Sequence, residues 1–262
     1  MDRFVESNGA RISYTVEGPS ERPVLLFINS IGTTRDLWLP QVPSLVGTYR
    51  LIRYDARGHG SSSVPGGDYS IEQLGLDALA ILDIEGARQA HICGISLGGL
   101  TAMWLGLNAP DRVSSLVLAN TAARIGTVQS WTDRIALVRD RGMRAVADLA
   151  IPLWFSSGFR QRDAEVVGGF RSMIEACPPA GYLGCCAALR DEDLREAISR
   201  ITAPVLAIAG LTDVPTPVES LRFIHEAIAG SKMITLDAAH LSNVEQAEEF
   251  TSAVMGFLGS RL

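Results

Sequence analysis

Gly94-Ile95-Ser96-Leu97-Gly98 places one serine between two glycines, where the apolar run "AHICGI" meets a second one, "LGGLTAMWLGL". A serine hydroxyl becomes a useful nucleophile only beside a base, and the base needs a third group to hold its tautomer. Four histidines are available, His59, His91, His225 and His240. His91 starts a strand-like run, His225 lies inside a helical pattern and His59 sits in the loop "RGHG". Only His240 follows the last strand-like run, "KMITLDAA", and Asp213 follows "PVLAIAGLT". Ser96, Asp213 and His240 are therefore the candidate nucleophile, orienting acid and base. Asp237 is closer to His240 in sequence, but three residues of extended chain aim it elsewhere.

The glycines around Ser96 have a physical reason. A strand that turns at once into a helix strains the residue at the corner and leaves no room for side chains beside it. The serine then stands at a helix N-terminus, where free N–H groups favour developing negative charge. A structural turn serine is the plain alternative. A dinucleotide loop fails on spacing, because "GISLGG" has serine where G-x-G-x-x-G requires its second glycine, and no G-K-[ST] exists for a P-loop.

These residues need elements to hold them. Asn8-Gly9 separates two alternating runs and marks a hairpin. "PVLLFINS" and "LIRYD" read as buried strands, and "AHICGIS", "VSSLVLAN", "PVLAIAG" and "KMITLD" as further strands. Helical patterns intervene at "SIEQLGLDALAILDIEG", with Ser70 and Gln73 spaced as a capping box, at "LGGLTAMWLGLNAP", "TPVESLRFIHEAIAG" and "NVEQAEEFTSAVMGFLG". This alternation predicts an α/β fold with a parallel sheet and helices on both faces. Ligands of such sheets bind beyond the carboxyl ends of the strands, which is where Ser96, Asp213 and His240 fall. Ser30, Ile31 and Gly32 follow another strand end. The expected oxyanion hole is the backbone N–H of Leu97 with that of Ile31, and Ser30 next in line. Residues 121–190 break the rhythm, with several short helical patterns and no clear strand, and read as an all-helical insertion.

Bulk properties narrow the classes. The chain has 262 residues, is 47% hydrophobic and 20% charged, and carries a formal net charge of −6. It can bury one large core, and it lacks the basic runs expected of a nucleic-acid partner. "MDRFVESNGARISY" has no signal-peptide layout, and no apolar run approaches the ~18 residues of a membrane span, so a cytoplasmic location with no membrane partner is expected. Cys93, Cys177, Cys185 and Cys186 make no metal pattern and are expected as free packed thiols; no metal and no cofactor are expected.

The chain resembles the α/β-hydrolase fold over its full length, and within it the bacterial 3-oxoadipate enol-lactone hydrolases. The stretches that carry this are "INSIGTTRDLW", "RYDARGHGSS", "CGISLGGL", "NTAARIG", "GYLGCCAALRDEDLR" and "DAAHLSNVEQ". The resemblance implies a mostly parallel eight-stranded sheet flanked by helices, a core of residues 1–120 and 191–262, and a helical cap over 121–190. It implies a serine esterase that opens a small anionic lactone in aromatic-compound degradation, through an acyl-enzyme. Some relatives carry the acid after the sixth strand, where this chain has Asn120, which leaves Asp213. An anionic substrate calls for a cation in a partly dry pocket, and the expected binding residues are Arg124 and Arg134, with Trp131 and Trp38 as apolar walls. His59 is expected to tie its own glycine loop in place. A general carboxylesterase and a carbon–carbon bond hydrolase of ring-cleavage products share the same triad, and a small-molecule receptor shares the fold. A homo-oligomer is compatible with all of these.

Overall fold

The computed structural model describes residues 2–259. Asn8 and Gly9 both take positive φ, 44° and 75°, and join β1 (Arg3–Ser7) to β2 (Ala10–Glu17) as an antiparallel hairpin. The remaining strands are β3 (Val24–Ile28), β4 (Arg50–Tyr54), β5 (Ala90–Ile95), β6 (Val113–Ala119), β7 (Val205–Gly210) and β8 (Lys232–Leu236). They form one eight-stranded sheet in the order β1-β2-β4-β3-β5-β6-β7-β8. The pairings from β4 through β8 are parallel, and β2 joins β4 antiparallel. Every residue of β3, β5 and β7 is buried, which is why these segments are continuous apolar runs rather than alternating ones.

Three helical elements precede β5. The chain forms a 3₁₀ turn at Arg35–Gln41 and a single helical turn, α1 (Val42–Leu45), which no hydrophobic period announces. Ser70 caps α2 (Ile71–Ile84), and its reciprocal bonds with Gln73 complete the expected capping box. α3 (Leu97–Asn108) follows β5 directly. β3 pairs with β4 on one side and with β5 on the other. The chain thus reverses its direction across the sheet at β3 and β5, and the carboxyl ends of these two strands open the crevice where ligands of this architecture bind.

Between β6 and β7 the helical elements are α4 (Val128–Trp154), α5 (Ser157–Arg162), α6 (Ala164–Ala176), α7 (Pro179–Asp191) and a 3₁₀ turn at Ile198–Arg200, with no strand. Gly142, at φ 69° and ψ −172°, divides α4 into two helices. After β7 come α8 (Val218–Ala227), β8, α9 (Ser242–Glu245) and α10 (Ala247–Gly259). The single C-terminal helix expected from residue 243 is broken at Gln246, whose φ and ψ are −127° and 56°. Among the described residues no helix is long and apolar enough to cross a membrane, and no group of three or more His, Cys, Asp or Glu side chains could hold a metal ion. The four cysteines are buried free thiols.

Candidate active site

Ser96 occupies the corner between β5 and α3 at φ 58° and ψ −120°, a conformation that costs a non-glycine residue energy. Tight packing holds it there. A Cβ on Gly98 would collide with the carbonyl of Ile28, and one on Gly94 with that of Gly98. The Ser96 N–H donates to the Ala119 carbonyl at 3.0 Å, and the Thr121 hydroxyl donates to the Ser96 carbonyl at 2.7 Å. With its backbone pinned on both sides, the side chain is left facing the crevice at the N-terminus of α3.

The loops after β7 and β8 bring Asp213 and His240 together. His240 Nδ1 lies 3.0 Å from each carboxylate oxygen of Asp213, and both residues are buried. Three more donors hold the carboxylate. The Thr216 N–H reaches Oδ1 at 3.0 Å, the Thr216 hydroxyl reaches Oδ2 at 2.7 Å, and the Asn120 amide reaches Oδ2 at 2.9 Å. Asn120 is held in turn by the Ser242 hydroxyl, which donates to its Oδ1. Burial alone would raise the Asp213 pKa, but His240, the Thr216 N–H and the Asn120 amide outweigh it and hold the carboxyl below its ordinary value. A carboxylate kept ionised beside Nδ1 fixes the imidazole as Nδ1–H and leaves Nε2 free to accept a proton.

Ser96 and His240 line one cavity of about 70 Å³ together with Ser30, Ile31, Trp131, Arg134, Trp154 and Tyr182. The N–H groups of Ile31 and Leu97 are taken up by no acceptor among the described residues. Arg134, on α4, donates to the Tyr182 hydroxyl at 3.1 Å, and the Trp131 indole donates to the Ile125 carbonyl at 2.6 Å. The cavity wall therefore has one cation in an otherwise mostly apolar setting.

Two of the expected binding residues lie elsewhere. Arg124 pairs with Asp193 at 3.0 Å and lines a separate surface depression with Arg195, Glu219 and Phe223. Trp38 is fully buried, packs on Phe27 and Phe250, and donates its indole N–H to Asn29 Oδ1 at 2.9 Å. It is a core residue beneath the loop that follows β3, and it does not line the cavity. Its aromatic bulk suits either role, and sequence position alone does not separate them.

Several contributors carry no motif. Thr216 and Asn120 are ordinary loop residues by type. Glu245 accepts from the Ala239 N–H at 3.0 Å and the Ser156 N–H at 3.2 Å, so it ties the His240 loop to the start of α5. His59 does more than hold its own loop. Its Nε2 accepts the Gly32 N–H at 2.9 Å, while Nδ1 donates to the Arg57 carbonyl at 3.1 Å. That pattern requires the neutral ring, and burial pushes its pKa down in the same direction.

Comparison with known proteins agrees with this geometry. A family profile described as alpha/beta hydrolase fold matches residues 23–247. The chain is 42% identical to 3-oxoadipate enol-lactonase 2 of Acinetobacter baylyi over 93% of this chain and 91% of that one. It is 37% identical to 3-oxoadipate enol-lactonase 1 of the same organism, over 96% and 94% of the two chains. The crystal structure of the enol-lactonase from Burkholderia xenovorans LB400 superimposes with a TM-score of 0.96 at 37% identity, covering 98% of this chain and 100% of that one.

Proposed function

Because the chain belongs to the α/β-hydrolase fold family, we propose that it is a serine hydrolase that opens the ring of 3-oxoadipate enol-lactone, or of a lactone very close to it, to the corresponding dicarboxylic keto acid. The reading at the level of ester or lactone hydrolysis rests on the named relatives. The observation that carries the finer reading is the position of Arg134, a cation on the wall of the small cavity that also holds Ser96 and His240. A guanidinium there matches the free carboxylate of such a lactone and has no task toward a neutral ester.

In the proposed reaction, His240 Nε2 takes the proton of Ser96 as its oxygen attacks the lactone carbonyl. The N–H groups of Ile31 and Leu97 hold the oxyanion of the tetrahedral intermediate. The ring carbon–oxygen bond breaks, the enolate leaves and takes up the proton held on His240, which restores the neutral base, and the resulting enol tautomerises to the ketone. That leaving group is better than a simple alkoxide, and ketonisation makes the step hard to reverse. Water, deprotonated by His240, then attacks the acyl-enzyme, and Ser96 recovers its proton as the acid departs. Asp213 stabilises the imidazolium in both halves. The helices of residues 121–190 act as the cap that supplies Arg134 and Trp131.

The test is a comparison of kcat/KM on three substrates: the enol-lactone, a neutral nitrophenyl ester and a vinylogous diketone from ring cleavage. Preference for the lactone supports the proposal. Brisk ester cleavage with the lactone untouched identifies a general carboxylesterase, preference for the diketone a carbon–carbon hydrolase, and a single covalent event that never clears a receptor.

A further inference from the structure

The Ser30 hydroxyl is buried and has no hydrogen-bond partner. A buried polar atom left without a partner is uncommon in a native fold, because it has lost its water and gained nothing in return. Among the described residues three other buried side-chain atoms share this state, on Arg53, Arg160 and Asn243, and none of those residues lines the cavity that holds Ser96. Ser30 does.

The hydroxyl is also not used to build its own loop. The turn is closed by the Ser30 carbonyl, which accepts from the Thr33 N–H at 3.3 Å and from the Thr33 hydroxyl at 2.8 Å. Behind it, His59 holds the Gly32 N–H, and the Asn29 side chain bonds the Tyr54 carbonyl and the Trp38 indole. Asn29, Gly32 and Thr33 are thus tied down, while the Ser30 hydroxyl and the adjacent Ile31 N–H are both left without an acceptor or donor partner among the described residues.

We propose that the Ser30 hydroxyl is a third donor to the oxyanion formed when Ser96 is acylated, beside the N–H groups of Ile31 and Leu97. This rests on the reading of Ser96 as nucleophile. It does not depend on which ester or lactone is the substrate. A donor with no internal bond to break can turn to the charge as it forms without giving up a partner, and that is the condition under which such a donor raises kcat rather than binding. Arg134 reaches the cavity from α4, and its cation matches a substrate carboxylate. Ser30 follows β3, next to the strand that carries Ser96, and serves the reacting carbonyl.

The test uses Ser30→Ala and Ser30→Cys, with the enol-lactone and a nitrophenyl ester as substrates and benzeneboronic acid as a tetrahedral-adduct probe. Both variants are expected to lose about 10–100-fold in kcat on whichever substrate the wild type turns over, with KM changed by less than about two-fold. Boronic acid affinity should fall in parallel, and the melting temperature should be no lower than that of the wild type. Cysteine fills the serine volume but donates poorly, so a packing role would be rescued by it and a donor role would not. Wild-type kcat in Ser30→Ala, rescue by Ser30→Cys, or unchanged boronic acid affinity overturns the proposal. A wild type that cleaves the ester but not the lactone sinks the substrate reading, and the ester arm still decides Ser30.

Discussion

His240 faces Asp213 with Nδ1 equidistant, at 3.0 Å, from both carboxylate oxygens, while Thr216 and Asn120 donate to the same carboxylate. The acid is thus clamped from two directions and the imidazole has one orientation. Asp213→Asn keeps the shape but offers Nδ1 an amide, which permits the wrong tautomer. A loss of about 10⁴-fold in kcat is expected, with unchanged circular dichroism. Activity within about ten-fold of the wild type would show that another group orients His240.

Arg134 and Arg124 separate by location. Arg134→Ala should lower kcat/KM for the anionic lactone by about 10–150-fold, the value of a charged hydrogen bond of about 1.5–3 kcal/mol. Its effect on a neutral nitrophenyl ester should be far smaller. Arg124→Ala removes a half-exposed surface pair with Asp193 and should leave both substrates unaffected. Steady-state kinetics on the two substrates checks both expectations.

His59 gives a pH dependence with a definite sign. Its folded pKa lies below the ordinary histidine value because the ring is buried and neutral. Between that folded value and about 6.5 the unfolded chain binds the extra proton and the folded chain does not. Stability therefore rises with pH through this window and is lost as pH falls into it. The melting temperature should drop between about pH 7 and pH 5, and His59→Gln, whose amide can still accept the Gly32 N–H, should drop less. His59→Leu leaves that N–H unpaired and should cost about 1–3 kcal/mol of stability at neutral pH.

Trp38→Phe tests the reassignment of that residue to the core. Losing the bond to Asn29 and part of a packed ring should lower stability by about 1–3 kcal/mol, with KM unchanged. A changed KM with unchanged stability would return Trp38 to the substrate pocket.

The sheet was legible because its inner strands β3, β5 and β7 are buried on both faces and its turns use residues with a mechanism, Asn8-Gly9 at the hairpin and Ser70 with Gln73 at α2. The strand ends then led to Ser96, Asp213 and His240 without a contact map, since open parallel sheets gather ligands there. What sequence did not reveal depends on which side of an element faces the crevice. Arg124 and Arg134 are ten residues apart and equal in type, yet only the second reaches the cavity. Gln246 ends a helix inside a pattern that has no breaker residue. The contact from His59 to Gly32 joins two loops 27 residues apart, and no local pattern encodes it.

In the proposed reaction Ser96 forms a covalent acyl intermediate with the lactone. Ring opening expels no separate fragment, so acylation should add the full mass of the lactone to the protein. Rapid acid quenching during turnover, followed by peptide mass spectrometry, is expected to place that mass on the peptide containing Ser96 and to find none in Ser96→Ala, which should not consume lactone. Lactone consumption by the wild type with no adduct at Ser96, or consumption by Ser96→Ala at an undiminished rate, would contradict the account.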